Sequence, residues 1–130
     1  MKNPMVHFEI PADNAERAIK FYKKIFDWKI EKFPMADGDY YVIRTIDVDD
    51  KMMPVQAGGI NGGLVERKNP GQMFMNYIKV DDIDETLKEI ENNGGEICLP
   101  KQEIGKDMGW IACFRDTEGN MMGLHELPKK

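Results

Sequence analysis

One pattern occurs twice in this chain, in the same order: an alternating run, a capped amphipathic helix, then three further strand-like segments. In the first copy Met5 to Ile10 alternates, and Asp13-Asn14-Ala15-Glu16 has the cap-x-x-Glu spacing that opens a helix. Ala15, Ala18, Ile19, Tyr22, Ile25 and Phe26 recur at helical spacing and form a stripe able to pack on a sheet. Trp28 to Phe33, Asp39 to Ile46 and Pro54 to Ile60 then read as strands. Asp37-Gly38 is the expected turn between the first two, and the acidic segment Asp47 to Lys51 leads to the third.

In the second copy Met73 to Val80 alternates, Asp81 and Asp82 supply caps, and Ile83, Leu87 and Ile90 repeat the stripe until Asn93-Gly94-Gly95 ends it. Strands are expected near Glu96 to Leu99, Gly109 to Arg115 and Asn120 to Glu126. A shift of 68 positions puts Asp81 on Asp13, Ile83 on Ala15, Leu87 on Ile19 and Ile90 on Tyr22, so Met75 takes the place of His7. The predicted class is α+β: two tandem βαβββ units forming a curved mixed sheet around a cavity. The first unit is expected over 5–60 and the second over 73–127, with a Gly-, Asn- and Pro-rich linker at 61–72, all within one domain of residues 1–130.

With 130 residues the chain needs no disulfide to hold a core. Cys98 and Cys113 sit in apolar strand-like runs with no CxxC pairing, which reads as structural. A net charge of −5 with interspersed signs carries no footprint for a phosphate backbone, and no apolar run reaches membrane-spanning length. Nucleic acid and membrane are therefore not expected partners. The start MKNPMVHFEI enters a strand pattern at once, leaving no room for a signal peptide, so the cytoplasm is the expected location. Ten Met residues suit either core filling or a permissive binding surface.

The segments VHFEIPADNAERAIKFYKKIFDWKI, AGGINGGL, YIKVDDIDETLKEIENNGG and FRDTEGNMMGLHE together resemble the vicinal oxygen chelate superfamily. It includes glyoxalase I, bleomycin resistance proteins and extradiol dioxygenases, and the resemblance is closest to its glyoxalase-like branch related to lactoylglutathione lyase. It covers nearly the whole chain and implies the glyoxalase/bleomycin resistance/dihydroxybiphenyl dioxygenase fold, often as a homodimer. Metal-bearing members take ligands from the first, fourth, fifth and eighth strands. The matching positions here are His7, a stretch from Val55 to Leu64 with only Gln56 and Asn61 as substitutes, Met75, and Gly123. Three of the four implied ligands are missing, and no cofactor is expected.

Strand alternation adds an alternative. If His7 faces the cavity so does Glu9, and if Gly123 does so does His125; these two imidazoles and a carboxylate would suit a relocated divalent metal in a lyase, isomerase or dioxygenase. Otherwise the cavity is an apolar cup for a small organic molecule, lined by Met5, His7, Glu9, Met73, Met75, Tyr77, Met121, Gly123 and His125. Trp110 and either Tyr40 or Tyr41 are candidates for an aromatic wall, although a strand aromatic more often packs in a core than against a ligand. The leading expectation is such a metal-independent protein, sequestering or transforming its ligand, with His7 and Glu9 as candidate general base and acid. A duplicated sheet serving mainly as a dimer scaffold is a third reading. Glu126, one residue past His125, is expected to point the other way as a solvated or salt-bridged charge.

Overall fold

A computed structural model of the chain describes residues 2–35, 38–105 and 107–128. It contains two compact units, His7–Phe74 and Met75–Lys130, the latter taking in Met1–Val6. The expected Asp37-Gly38 turn lies partly outside the described residues.

In the first unit β1 (Met5–Ala12) leads into α1 (Ala15–Phe26), followed by β2 (Lys29–Met35), β3 (Gly38–Arg44) and β4 (Gly62–Glu66). β2 and β3 form an antiparallel pair, β3 pairs antiparallel with β4, and β4 lies parallel to β1. The helix is capped by Asn14, whose Oδ1 accepts from the Arg17 N–H at 3.0 Å. Asp13, expected in that role, instead pairs with the Arg67 guanidinium at 2.8 Å. The α1 stripe covers one sheet face: Ala15, Ala18, Ile19 and Tyr22 pack with Phe8, Ile10, Ala12, Ile30, Ile43 and Leu64. Ile43 and Leu64 are wholly buried, each worth about 1.5–3 kcal/mol of transfer from water, so this face anchors the unit.

The second unit repeats the plan with β5 (Met75–Lys79), α2 (Ile83–Asn92), β6 (Glu96–Glu103), β7 (Trp110–Arg115) and β8 (Met121–Glu126). β6 and β7 are antiparallel, as are β7 and β8, while β8 lies parallel to β5. Asp82 caps α2, accepting from the Glu85 N–H at 3.1 Å. Ile83 and Leu87 pack with Val80, Ala112, Phe114 and Leu124. The registers correspond: Glu9 stands opposite Gly63 and Ile10 opposite Leu64, as Tyr77 stands opposite Gly123 and Ile78 opposite Leu124. The α+β class and the doubled βαβββ order are those expected.

The fourth strand lies downstream of the expected Pro54 to Ile60 run. Pro54 to Ile60 is irregular apart from one bridge between Val48 and Pro54, and β4 runs through Gly62–Glu66, inside the expected linker. Its glycines mark close approach rather than a loop. A Cβ on Gly62 would lie 2.4 Å from the Phe8 carbonyl oxygen, and one on Gly63 only 1.9 Å from the Tyr40 hydroxyl.

Candidate functional site

Because alternate side chains of a strand point to opposite faces, packing Phe8 and Ile10 under α1 leaves His7 and Glu9 on the other face. The same parity separates the two tyrosines of β3. Tyr41 packs with the α1 core, while Tyr40 shares the face of His7 and Glu9. Tyr40 sits on β3, two strands from β1, so its ring must cross β4 to reach them. It crosses at Gly63, where no side chain stands in the way.

The result is a three-residue polar cluster. Tyr40 Oη lies 2.9 Å from His7 Nε2 and 3.4 Å from Glu9 Oε2, and the imidazole and carboxylate are themselves 4.0 Å apart. All three are partly buried. A phenol has one proton to donate, so two arrangements are open to it. With Nε2 bare, Tyr40 donates to the imidazole; with Nε2 protonated, it accepts from the ring and donates to Glu9. This bridging role of Tyr40 was not foreseen. Its signals in the sequence were the parity of Tyr40 against Tyr41 and the Gly at position 63.

In the second unit, parity puts Met75, Tyr77, Lys79, Cys113, Met121, Gly123 and His125 on the face away from α2, opposite to Ala112, Phe114 and Leu124. Tyr77 is buried and its ring lies over Gly123, where a Cβ would be 2.4 Å from Cδ2. Met75 Sδ is 3.9 Å from Cys113 Sγ. Met73, by contrast, is largely exposed ahead of β5.

Two expected placements need correction. Trp110, a candidate for the aromatic wall, lies on the helix side of its sheet, packed on the core beneath α2, with the Lys101 ammonium 4.8 Å from its ring centroid. Its parity is that of Ala112 and Phe114. The second concerns Gln56 and Asn61, whereas Glu126 faces away from His125 and is salt-bridged, both as expected, and is buried as well. Oε1 accepts from the Ile83 N–H at 2.8 Å and Oε2 pairs with Lys101 at 3.3 Å, because the first turn of α2 needs an acceptor there. Gln56 and Asn61 are not on β4. Asn61 Oδ1 accepts from the Thr45 and Ile46 backbone N–H groups, closing the end of β3, and Gln56 is exposed in the loop.

His125 is paired in register with Lys79 and Ile111. Burial pushes its imidazole below the ordinary 6.5; a hydrogen bond with the Met108 backbone opposes this, and the Lys79 charge reinforces it. The fold therefore favours the neutral ring. Its contribution to stability is full above pH 6.5 and is lost as acidification protonates the unfolded chain first, down through the folded value. An NMR titration of the ring should give a midpoint below 6.5, and His125→Gln should flatten the acid side of the stability profile from that pH downward. A midpoint at or above 6.5 would contradict the burial argument.

A recess of about 490 Å³ lined by Asp13, Arg67, Lys68, Asn69 and Pro70 lies away from this chemistry. Its guanidinium is engaged by Asp13 and by the Gln72 and Pro11 carbonyls, so the recess reads as a loop tie. Within either unit, no three described His, Cys, Asp or Glu side chains form a metal-holding group.

Among solved structures, a hypothetical protein of Bacillus halodurans superposes with a TM-score of 0.72 at 15% identity, covering 100% of this chain and 98% of that one. A Streptomyces coelicolor methylmalonyl-CoA epimerase, solved in complex with 2-nitronate-propionyl-CoA, gives 0.70 at 13% identity with 100% of both chains covered. At these identities the likeness establishes the fold. A glyoxylase-like domain-containing protein of Didymella fabae is 30% identical over 94% of this chain and 92% of its own length. A Mycobacterium bovis protein provisionally named a glyoxylase is 25% identical over 89% of this chain, which spans only 42% of that longer relative. Residues 5–124 match the model of one family, and with that match the chain belongs to the Glyoxalase/Bleomycin resistance protein/Dioxygenase superfamily.

Proposed function

We propose that this chain is a glyoxalase-like protein that binds a small organic molecule through the His7–Tyr40–Glu9 face and does so without a divalent metal. The observation that carries the proposal is the phenol bridging an imidazole and a carboxylate across Gly63. That arrangement offers a ligand one hydrogen-bond donor or acceptor at each of three adjacent points, on a strand face not taken up by packing under the helix. The epimerase relative solved with an acyl-CoA analogue is a neighbour in fold whose ligand is likewise organic.

The residues at the family's ligand positions fit a divalent ion poorly. By register, Gly63 is to the first copy what Gly123 is to the second. Neither offers a donor, and tyrosine rings occupy the space a ligand side chain would need. Met75 contributes a thioether, a donor for soft rather than hard or borderline ions. His7 alone retains a suitable ligand type, and one imidazole falls short of the roughly three protein ligands of a catalytic site. His7 and Glu9 are the proposed proton-transfer pair if the ligand is transformed, with Tyr40 able to carry a proton between them. A homodimer is part of the same proposal and follows from the family resemblance.

Chelator-treated protein should gain thermal stability with at least one member of a metabolite panel. For that ligand Tyr40→Phe, which keeps the ring over Gly63 but removes the hydroxyl, should weaken binding by about tenfold or more. Failure of the metal-free protein to bind any panel member, with binding restored by zinc, iron, manganese or nickel, would reject the reading in favour of the relocated site using His7, Glu9 and His125.

A further inference from the structure

We propose that the second unit holds a soft monovalent metal ion, of the copper(I) or silver(I) class, between Cys113, Met75 and Met121. This site shares no residue with the His7–Tyr40–Glu9 cluster and does not rest on that reading. Its first observation is a distance: Cys113 Sγ and Met75 Sδ are 3.9 Å apart, on neighbouring sides of β8. One ion with two metal–sulfur bonds of about 2.3 Å spans that separation at a near-trigonal angle. The thiol and thioether are already turned toward each other.

The third donor comes from register. Cys113 stands opposite Gly123 on β8, and Tyr77 stands opposite the same glycine from β5. Two residues back along each of the parallel strands β5 and β8 lie Met75 and Met121, on the same face as Cys113. Diagonal and lateral neighbours on one sheet face are within reach of side chains as long as methionine. Gly123 adds no side chain of its own here, and the Tyr77 ring lies over it. Met121 is partly exposed while Cys113 is buried, which gives an ion a route in from the solvent side and a low-dielectric seat at the thiol.

One thiolate and two thioethers form a soft donor set that selects copper(I) over zinc or magnesium. On binding, the Cys113 S–H bond breaks, its proton leaves to solvent, and the thiolate donates an electron pair to the ion; no electron transfer is involved. The neutral thioethers add donors without charge, so thiolate and monovalent cation together are neutral. Such a pair is far less costly to bury than an isolated charge.

Cys98 is an exposed second thiol, so the experiment begins from the Cys98→Ser protein. Copper(I) is titrated under anaerobic conditions against a chromophoric copper(I) chelator, with silver(I) as a redox-inert check. Cys98→Ser protein should take one equivalent from the chelator. Adding Cys113→Ser should abolish that, and adding Met75→Leu or Met121→Leu should weaken it by about tenfold or more. Silver(I) should also protect Cys113 of the Cys98→Ser protein from alkylation, a readout that uses no core variant. The proposal is overturned if Cys98→Ser protein takes no copper(I) from the chelator. It is equally overturned if both leucine variants bind as tightly as their parent, because binding would then belong to the thiol alone.

Discussion

Replacing Glu126 with alanine should destabilise the chain by about 3 kcal/mol and lower its melting temperature by on the order of 10 °C. Glu126 is only 2% exposed, and both carboxylate oxygens are used. One accepts from Ile83, the first residue of α2, whose N–H has no partner inside its own helix; the other pairs with Lys101 of β6. The carboxylate thus joins the end of β8 to the start of α2 and to an outer strand. Its negative charge also lies at the positive end of the helix dipole. Alanine would leave the Ile83 N–H buried without an acceptor, at a cost of about 1–3 kcal/mol. It would also leave the Lys101 ammonium facing a void, although that side chain retains 26% exposure and can turn toward water. Glu126→Gln keeps an acceptor for Ile83 and should cost about 1 kcal/mol, mostly through the weakened Lys101 contact. Denaturant unfolding of the three proteins measures the order wild type, glutamine, alanine. An alanine variant within 1 kcal/mol of wild type would mean that this carboxylate does not hold α2.

Glu126 and His125 show how far alternation in a sequence can be read. That they face opposite ways follows from their adjacency on a strand, and the structure agrees. That the acid is buried does not follow, because its partners Ile83 and Lys101 lie 43 and 25 positions away. Trp110 is legible by the same alternation: its parity with Ala112 and Phe114 assigns it to the helix side, where it packs. His7 and Glu9 were legible because β1 has a clear apolar partner set in Phe8 and Ile10, so the polar residues had only one face left. Tyr40 was half legible: one of two adjacent tyrosines had to face that way, and its contact with His7 and Glu9 depended on a gap in an intervening strand. That strand was missed because Gly62 and Gly63 read as a linker. The local composition is the same whether glycine serves a flexible loop or the close approach of another chain segment; only the tertiary neighbours separate the two.

Those two glycines should respond very differently to the same substitution. Gly62→Ala should destabilise the protein by about 3 kcal/mol, whereas Gly63→Ala should cost about 1 kcal/mol and yet disable the polar cluster. At position 62 the added methyl would lie 2.4 Å from the Phe8 carbonyl oxygen and 2.7 Å from its ring. The carbonyl belongs to β1, directly opposite in the parallel ladder, and cannot retreat without breaking the pairing that seats Ile10 and Leu64. At position 63 the obstruction is the far end of Tyr40, which can rotate away. Rotation removes the phenol from between His7 and Glu9, leaving an imidazole and a carboxylate 4.0 Å apart with no bridge. Gly63→Ala should therefore reproduce the ligand-binding defect of Tyr40→Phe, and combining the two should add little to either alone, because both remove the same hydroxyl from the same place. Thermal unfolding gives the stability contrast and ligand titration gives the coupling. Additive binding losses in the double variant would show that Gly63 serves the site by some route other than making room for Tyr40. Equal stability of the two alanine variants would show that the β1 backbone yields as easily as a tyrosine side chain, and the account of β4 as a strand built around close approach would then fail.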